Sequence, residues 1–315
     1  MLFRVEVISL KPDVCTTVNR VAASEEQAIA WAKSEFRVVN DAVQVFRLHP
    51  QEARVFAELE KNVGGPISSP FAGWENGRVV YLDLGFPLEI FGKFIDEQIE
   101  PVKRLRHLRE LSFRGNLGIT DKGIAVVRGL TRLHTLILDE MQIGDGCMPH
   151  LARLHNLRTL YLGKGTLRIN GIARLGFFTD ESLRYLANLR NLFAFSLNHS
   201  EVSGRSLGGM DLRHMEYFSA NDGPFVDEGM KHIRRMTKLR KLDLSNTAIT
   251  NAGLPAVKRL KWLEDLYLSG THVSDTGLIN LHDLSALKYL GLKDTIVSRD
   301  GIRQLKKKLP KCSMS

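Results

Sequence analysis

Between Leu239 and Leu284 the chain writes one unit twice, LRKLDLSNTAITNAGLPAVKRL and then KWLEDLYLSGTHVSDTGLINLHDL. Leu239, Leu242 and Leu244 return as Leu263, Leu266 and Leu268, 24 residues later. Within each copy the L-x-x-L-x-L run alternates as a strand does, with Leu242 and Leu244 facing one way, and a turn then opens an apolar pattern of helical period. One such strand and helix cannot bury their apolar sides alone, so repeated copies have to stack as a solenoid.

The frame extends outward from this pair. Its first leucine position is held by Leu108, Leu133, Leu157, Leu192, Met215, Leu239, Leu263 and Leu287, at spacings of 25, 24, 35, 23, 24, 24 and 24 residues. Val79 to Leu84 (VVYLDL) fits an earlier strand, which gives about nine turns over residues 79–315.

The consensus L-x-x-L-x-L-x-x-T-x-I-T-x-x-G-L resembles a leucine-rich repeat, most closely the variant common in bacterial repeat proteins and eukaryotic F-box-type adaptors. The resemblance implies an α/β horseshoe, and in those adaptors it implies substrate recognition for ubiquitin ligases. No F-box-like helical segment stands at the N-terminus, so the expectation is the coarser one of a non-enzymatic scaffold or adaptor that binds a protein. Neither a cofactor nor a metal is implied.

Ahead of the repeats, residues 1–61 read as a small βαβ (α+β) domain. Phe3, Val5 and Val7 alternate in one strand, residues 42–48 (AVQVFRL) make a second, and Ser24-Glu25-Glu26-Gln27 is a capping box for a helix between them. Residues 62–78, rich in Gly, Pro, Ser and Asn, read as a linker and N-terminal cap, with Phe71 and Trp74 covering the open end of the first turn. Residues 86–105 suggest a longer first helix carrying Ile90, Phe94, Ile95, Ile99 and Val102.

Thr120-Asp121, Thr250-Asn251 and Ser274-Asp275 precede Gly123, Gly253 and Gly277 and are expected to cap the outer helices. Two stretches depart from the pattern. An insertion of about 11 residues near 163–177, basic and punctuated by glycine, reads either as a tolerated surface loop or as a binding loop offering Lys164 and Arg168. In the following unit VSGRSLGGMDL replaces the helix-start motif, which predicts an irregular outer segment. The tail residues 305–315 (LKKKLPKCSMS) resemble the closing turn of bacterial repeats, with Cys312 and Met314 in a last edge strand and lysines discouraging end-to-end association.

Chemistry is sparsely signalled. Gly204-Arg205-Ser206-Leu207-Gly208 fits the G-x-S-x-G pattern, but its strand should end near Leu197, whereas a nucleophile elbow joins strand directly to helix. Three cysteines without C-x-x-C spacing suggest neither a disulfide framework nor zinc. A polar N-terminus and the lack of any continuous apolar run near 18 residues point to a soluble cytoplasmic protein without membrane contact.

The net charge of +9 raises the question of nucleic acid. Residues beyond 70 carry 36 basic and 26 acidic side chains, and the excess falls mainly at unit junctions such as Lys103-Arg104, Arg234-Arg235 and Lys258-Arg259. The concave face is expected to have the opposite sign. There the frame sets Glu110, Asp139, Glu140, Asp222, Asp243, Asp265 and Asp294 against Arg114, Lys164, Lys241 and Lys293. Four of the six tyrosines, Tyr161, Tyr217, Tyr267 and Tyr289, fall on that face, with His199 beside Asp222. Tyrosine gives contact area at low entropy cost and keeps a polar tip. The candidate partner-binding set is therefore these tyrosines with Asp222, Asp243, Asp265, His199, Lys164 and Arg168. A nucleic-acid or anionic-surface role through the basic rim is the alternative.

Overall fold

The structure is a computed structural model and describes residues 2–8, 15–21, 26–27, 29–30, 43–47, 49–63, 72–76, 78–85, 94–163 and 178–315. Its main body is an eleven-stranded sheet in consecutive order. Strand β4 (Ala72–Glu75) pairs antiparallel with β5 (Arg78–Asp83). Beyond β5 every pairing is parallel: β6 Glu110–Ser112, β7 Thr135–Ile137, β8 Thr159–Tyr161, β9 Ala194–Ser196, β10 Tyr217–Ser219, β11 Lys241–Asp243, β12 Asp265–Tyr267, β13 Tyr289–Gly291 and β14 Ser313–Met314. The second leucines align across the turns, for example Phe218 with Leu242 and Leu242 with Leu266. These side chains are fully buried. Each contributes roughly 1.5–3 kcal/mol of burial, and register is fixed because a one-residue slip would turn every leucine outward.

The outer side differs from expectation in kind. Most of the described segments are 3-10 turns, including Gly123–Gly129, Asp180–Leu186 and Leu254–Arg259, and the α-helices among the described residues of this side are short: α2 Asp96–Ile99, α3 Met148–Leu151, α4 Asp227–Ile233 and α5 Arg299–Lys308. A 24-residue unit leaves few residues for the return path, and a 3-10 turn covers about 2.0 Å per residue against about 1.5 Å for an α-helix. The unit expected to be irregular also forms such a turn, Arg205–Gly209. Of the expected first outer helix, residues 86–93 with Ile90 lie outside the described residues, and in the remainder the helix begins only at Asp96, after Ile95, which is exposed and in extended backbone.

The N-cap residues of the turns that follow Thr120-Asp121, Thr250-Asn251 and Ser274-Asp275 carry no side-chain cap, and the T-D-x-G motif acts instead between turns. Asp96 accepts hydrogen bonds from the amide and hydroxyl of Thr120 one turn on, at 2.7 and 2.6 Å. Asp145 does the same for Thr179, Asp180 for Ser203, Asp227 for Thr250 and Asp275 for Ser298. These rungs tie each turn to the next along the edge where the strands end. The glycine of the motif makes room for the rung: a Cβ on Gly253 would lie 2.5 Å from Asp227 Oδ1. The ladder loses its aspartate at Gly204, whose φ of +85° suits glycine and whose Cα faces the ring of Phe225. There an aromatic column takes over, Phe195 to Phe218 at 6.1 Å and Phe218 to Phe225 at 6.0 Å.

Helix α1 (Pro50–Val63) packs Val55, Phe56 and Leu59 into the solenoid core, and Trp74 lies 5.3 Å from Phe56. The first turn is thus covered by a helix as well as by Trp74, and the stretch whose composition marks a linker contains β4. Phe71 lies outside the described residues. Near the N-terminus, β1 (Leu2–Ile8), β2 (Cys15–Val21) and β3 (Val43–Arg47) form an antiparallel sheet ordered β2-β1-β3. A βαβ outline therefore omits one strand, β2, whose CTTVNRV sequence carries a weak apolar alternation. At the far end Cys312 is buried and β14 closes the sheet as expected.

Candidate functional site

Each parallel strand presents two side chains to the concave face, one on either side of its buried second leucine. Register turns them into rows. Tyr217, Lys241, Asp265 and Tyr289 are neighbours in one, and Ser219, Asp243, Tyr267 and Gly291 in the other. All four concave tyrosines are half-buried.

They meet in two pairs. Tyr161 and Tyr217 stand edge to face with centroids 6.1 Å apart, and Tyr267 and Tyr289 lie 4.9 Å apart. Lys241 joins the pairs, its ammonium 5.7 Å from the Tyr217 ring and 5.1 Å from that of Tyr267. A cation shared between two ring faces favours this arrangement through the ring quadrupoles. The Tyr289 hydroxyl is 2.7 Å from Ser315 Oγ. The result is an aromatic strip running from β8 to β13, held by its own contacts.

The carboxylates divide by environment. Asp243 accepts hydrogen bonds from Asn221 Nδ2 at 2.9 Å and from the Ser245 amide at 3.0 Å, so it is fixed in place. Asp265 stands between Lys241 and Tyr289 and accepts no hydrogen bond from the described residues. His199 and Asp222, which follow the third leucine position of their turns, occupy the line where the strands end. Both have positive φ, 54° and 56°, and His199 Nε2 lies 3.6 Å from Asp222 Oδ2. Asn246 Nδ2 continues that line by donating to Asp222 Oδ1 at 2.8 Å. Lys164 and Arg168 lie outside the described residues.

Asp139 is a site residue that the sequence-based set omits. Its Oδ1 accepts from the Gly163 amide at 2.6 Å. Burial pushes its carboxyl up to about 6, against the opposing pull of that hydrogen bond and of Arg114. Its charge in turn adds to the burial that raises the Tyr161 phenol. The available signal was an acidic residue directly after a core leucine, one turn before the insertion.

Residues 104–127, 235–257 and 259–281 match the family model described as Leucine Rich repeat. With the parallel sheet and its leucine register, this makes the chain a leucine-rich repeat protein, a fold that is commonly a scaffold for protein interaction. Among solved structures it is similar to an internalin C2 from Listeria monocytogenes, with TM-score 0.51 and 16% identity over 84% of this chain and 93% of that one. It is also similar to a plant ice-binding protein, with TM-score 0.55 and 16% identity over 80% of this chain and 81% of that one. At such identity the likeness concerns the fold. No curated protein matches the sequence. Among the described residues no helix is long and apolar enough to cross a membrane.

Proposed function

We propose that the protein is a non-enzymatic scaffold or adaptor that recognises a protein partner on its concave face. The observation that carries this reading is the strip Tyr161–Tyr217–Lys241–Tyr267–Tyr289, where four half-buried aromatic rings already pack on one another and on Lys241. Preorganised aromatic side chains lose little rotamer freedom on binding and are enriched among residues that dominate interface energies. Asp265 and Asp243 beside them favour a partner segment that carries basic as well as apolar side chains. A cytoplasmic setting agrees with the two free buried thiols, Cys147 and Cys312.

The test is peptide-display panning against the immobilised protein, compared with a folded Tyr217→Ala/Tyr267→Ala/Asp265→Ala variant. Basic, apolar sequences enriched by the parent should lose most of their affinity for the variant, by at least about 2 kcal/mol or thirtyfold. Enriched peptides that bind the variant equally would move the working surface away from the concave face.

A further inference from the structure

The sheet has a second edge, where the outer segments return and the strands begin. Eight stretches form it: residues 103–109, 128–134, 152–158, 187–193, 210–216, 234–240, 258–264 and 282–288. In each, the third and sixth residues are buried core positions, and the others line the edge except Met210, which is buried as well. Hydrogen bonds from turn to turn make it continuous, as from the Arg158 amide to the His134 carbonyl at 2.7 Å.

These stretches hold eighteen Lys/Arg against four Asp/Glu, so the rest of the chain, with 26 basic and 31 acidic residues, is net acidic. The charge of the whole protein resides on this edge. Outer segments all end here, and the negative ends of their dipoles account for the sign. They do not account for three further features.

First, twelve of the eighteen cations, among them Arg132, Arg153, Arg158, Arg190 and Arg234, are exposed and make no ion pair among the described residues. Secondly, thirteen of the eighteen are arginine, while elsewhere in the chain arginine and lysine are equal at thirteen each. Dipole compensation and solubility are indifferent to that choice, whereas planar bidentate recognition of phosphate and stacking on bases require arginine. Thirdly, Trp262 stands on this edge 68% exposed, the most exposed large apolar side chain among the described residues, with Lys261 beside it and Lys238 in the preceding turn.

We propose that this edge binds single-stranded nucleic acid, its arginines on the phosphates and Trp262 as a stacking platform for a base. Six turns separate the stretch at 103–109 from that of Trp262, about 29 Å at ~4.8 Å per parallel strand, which accommodates the ~4–16 nucleotides of a single-strand-binding module. The N-terminal end of the track opens on a groove of about 650 Å³, where Arg54 and Arg106 make no ion pair among the described residues and the buried Glu52 carboxylate is already engaged by His107 and Arg78. A linear file of cations with two exposed aromatic rings, Trp262 and the less exposed Phe193, suits a threaded strand better than a bilayer, which needs several apolar side chains to insert. The inference stands apart from the concave-face reading, and either can fail alone.

The experiment is fluorescence anisotropy of the full chain with labelled oligo-U and oligo-dT of about 20 nucleotides. Binding at about 50 mM salt should weaken with a log–log slope of about −0.7 per engaged phosphate. Arg132→Gln/Arg158→Gln/Arg190→Gln should flatten that slope by about 2. Trp262→Ala should weaken binding about tenfold and leave the slope alone. Lys122→Gln/Arg205→Gln/Arg299→Gln, on the opposite edge, should change neither. No binding at low salt would overturn the proposal, as would tighter binding to vesicles of phosphatidylserine. Equal affinity for inorganic polyphosphate with indifference to Trp262→Ala would also overturn it, leaving an unspecific polyanion surface.

Discussion

At the scale of single residues, Asp139 shows how the repeat uses burial. The carboxyl is held by one amide in a position too dry for a comfortable charge. Its folded value, about 6, exceeds the ordinary 3.8, so the fold prefers the protonated acid. The sign follows: this contribution is complete below about pH 4 and is lost as pH rises through about 6. Asp139→Asn keeps an acceptor for the Gly163 amide and removes the charge. It should therefore stabilise the protein at pH 7 by at most about 3 kcal/mol and have little effect at pH 4, as urea midpoints at the two pH values will register. Such a residue is hard to find in sequence, because position alone puts Asp139 among seven concave acids and says nothing of its hydration. The tyrosines were legible for the opposite reason: strand alternation fixes which side chains face outward, whatever the partners. His199 and Asp222 were legible in the same way, as residues following the third leucine position, but their positive φ was not, since backbone handedness cannot be read from spacing.

At the scale of elements, the unit of stability is the junction between turns. Asp227 serves Thr250 of the next turn through two hydrogen bonds, at 2.9 and 2.6 Å, and Gly253 leaves room for it. Asp227→Ala should cost about 1–2 kcal/mol, and Gly253→Ala about 1–3 kcal/mol from crowding against the carboxylate. The two changes share one cause, so in the Asp227→Ala background the glycine substitution should become at least about 1 kcal/mol cheaper. Additive losses in a denaturant double-mutant cycle would mean that the rung and the glycine are unrelated. The aspartate, threonine and glycine were all visible in the repeat as a helix cap. Their engagement with the following turn was not, because a local motif reading pairs residues near in sequence, and these pairs lie 23 to 34 residues apart.

At the scale of the molecule, one core runs unbroken from Val55 in α1 to Cys312 beside β14. Leu244→Asp puts a charge at a fully buried position in it and should cost roughly 3 kcal/mol or more, seen as a lower and broader thermal transition. An unchanged melt would refute the repeat frame. The solenoid and its frame were legible because a strict period repeats the same evidence many times, whereas the N-terminal sheet appears once and β2 escaped notice. The two edges of the solenoid differ in charge, with aspartate rungs along one and a file of arginines along the other, most of them outside any ion pair among the described residues. A body built this way has a permanent dipole moment across its width, and near a charged surface it experiences a torque before it experiences a net attraction. Its net charge of +9 should therefore mislead a chromatographer. Adsorbed edge-on, the same molecule will be retained by a cation exchanger more strongly than its isoelectric point implies, and will still cling to an anion exchanger by turning over.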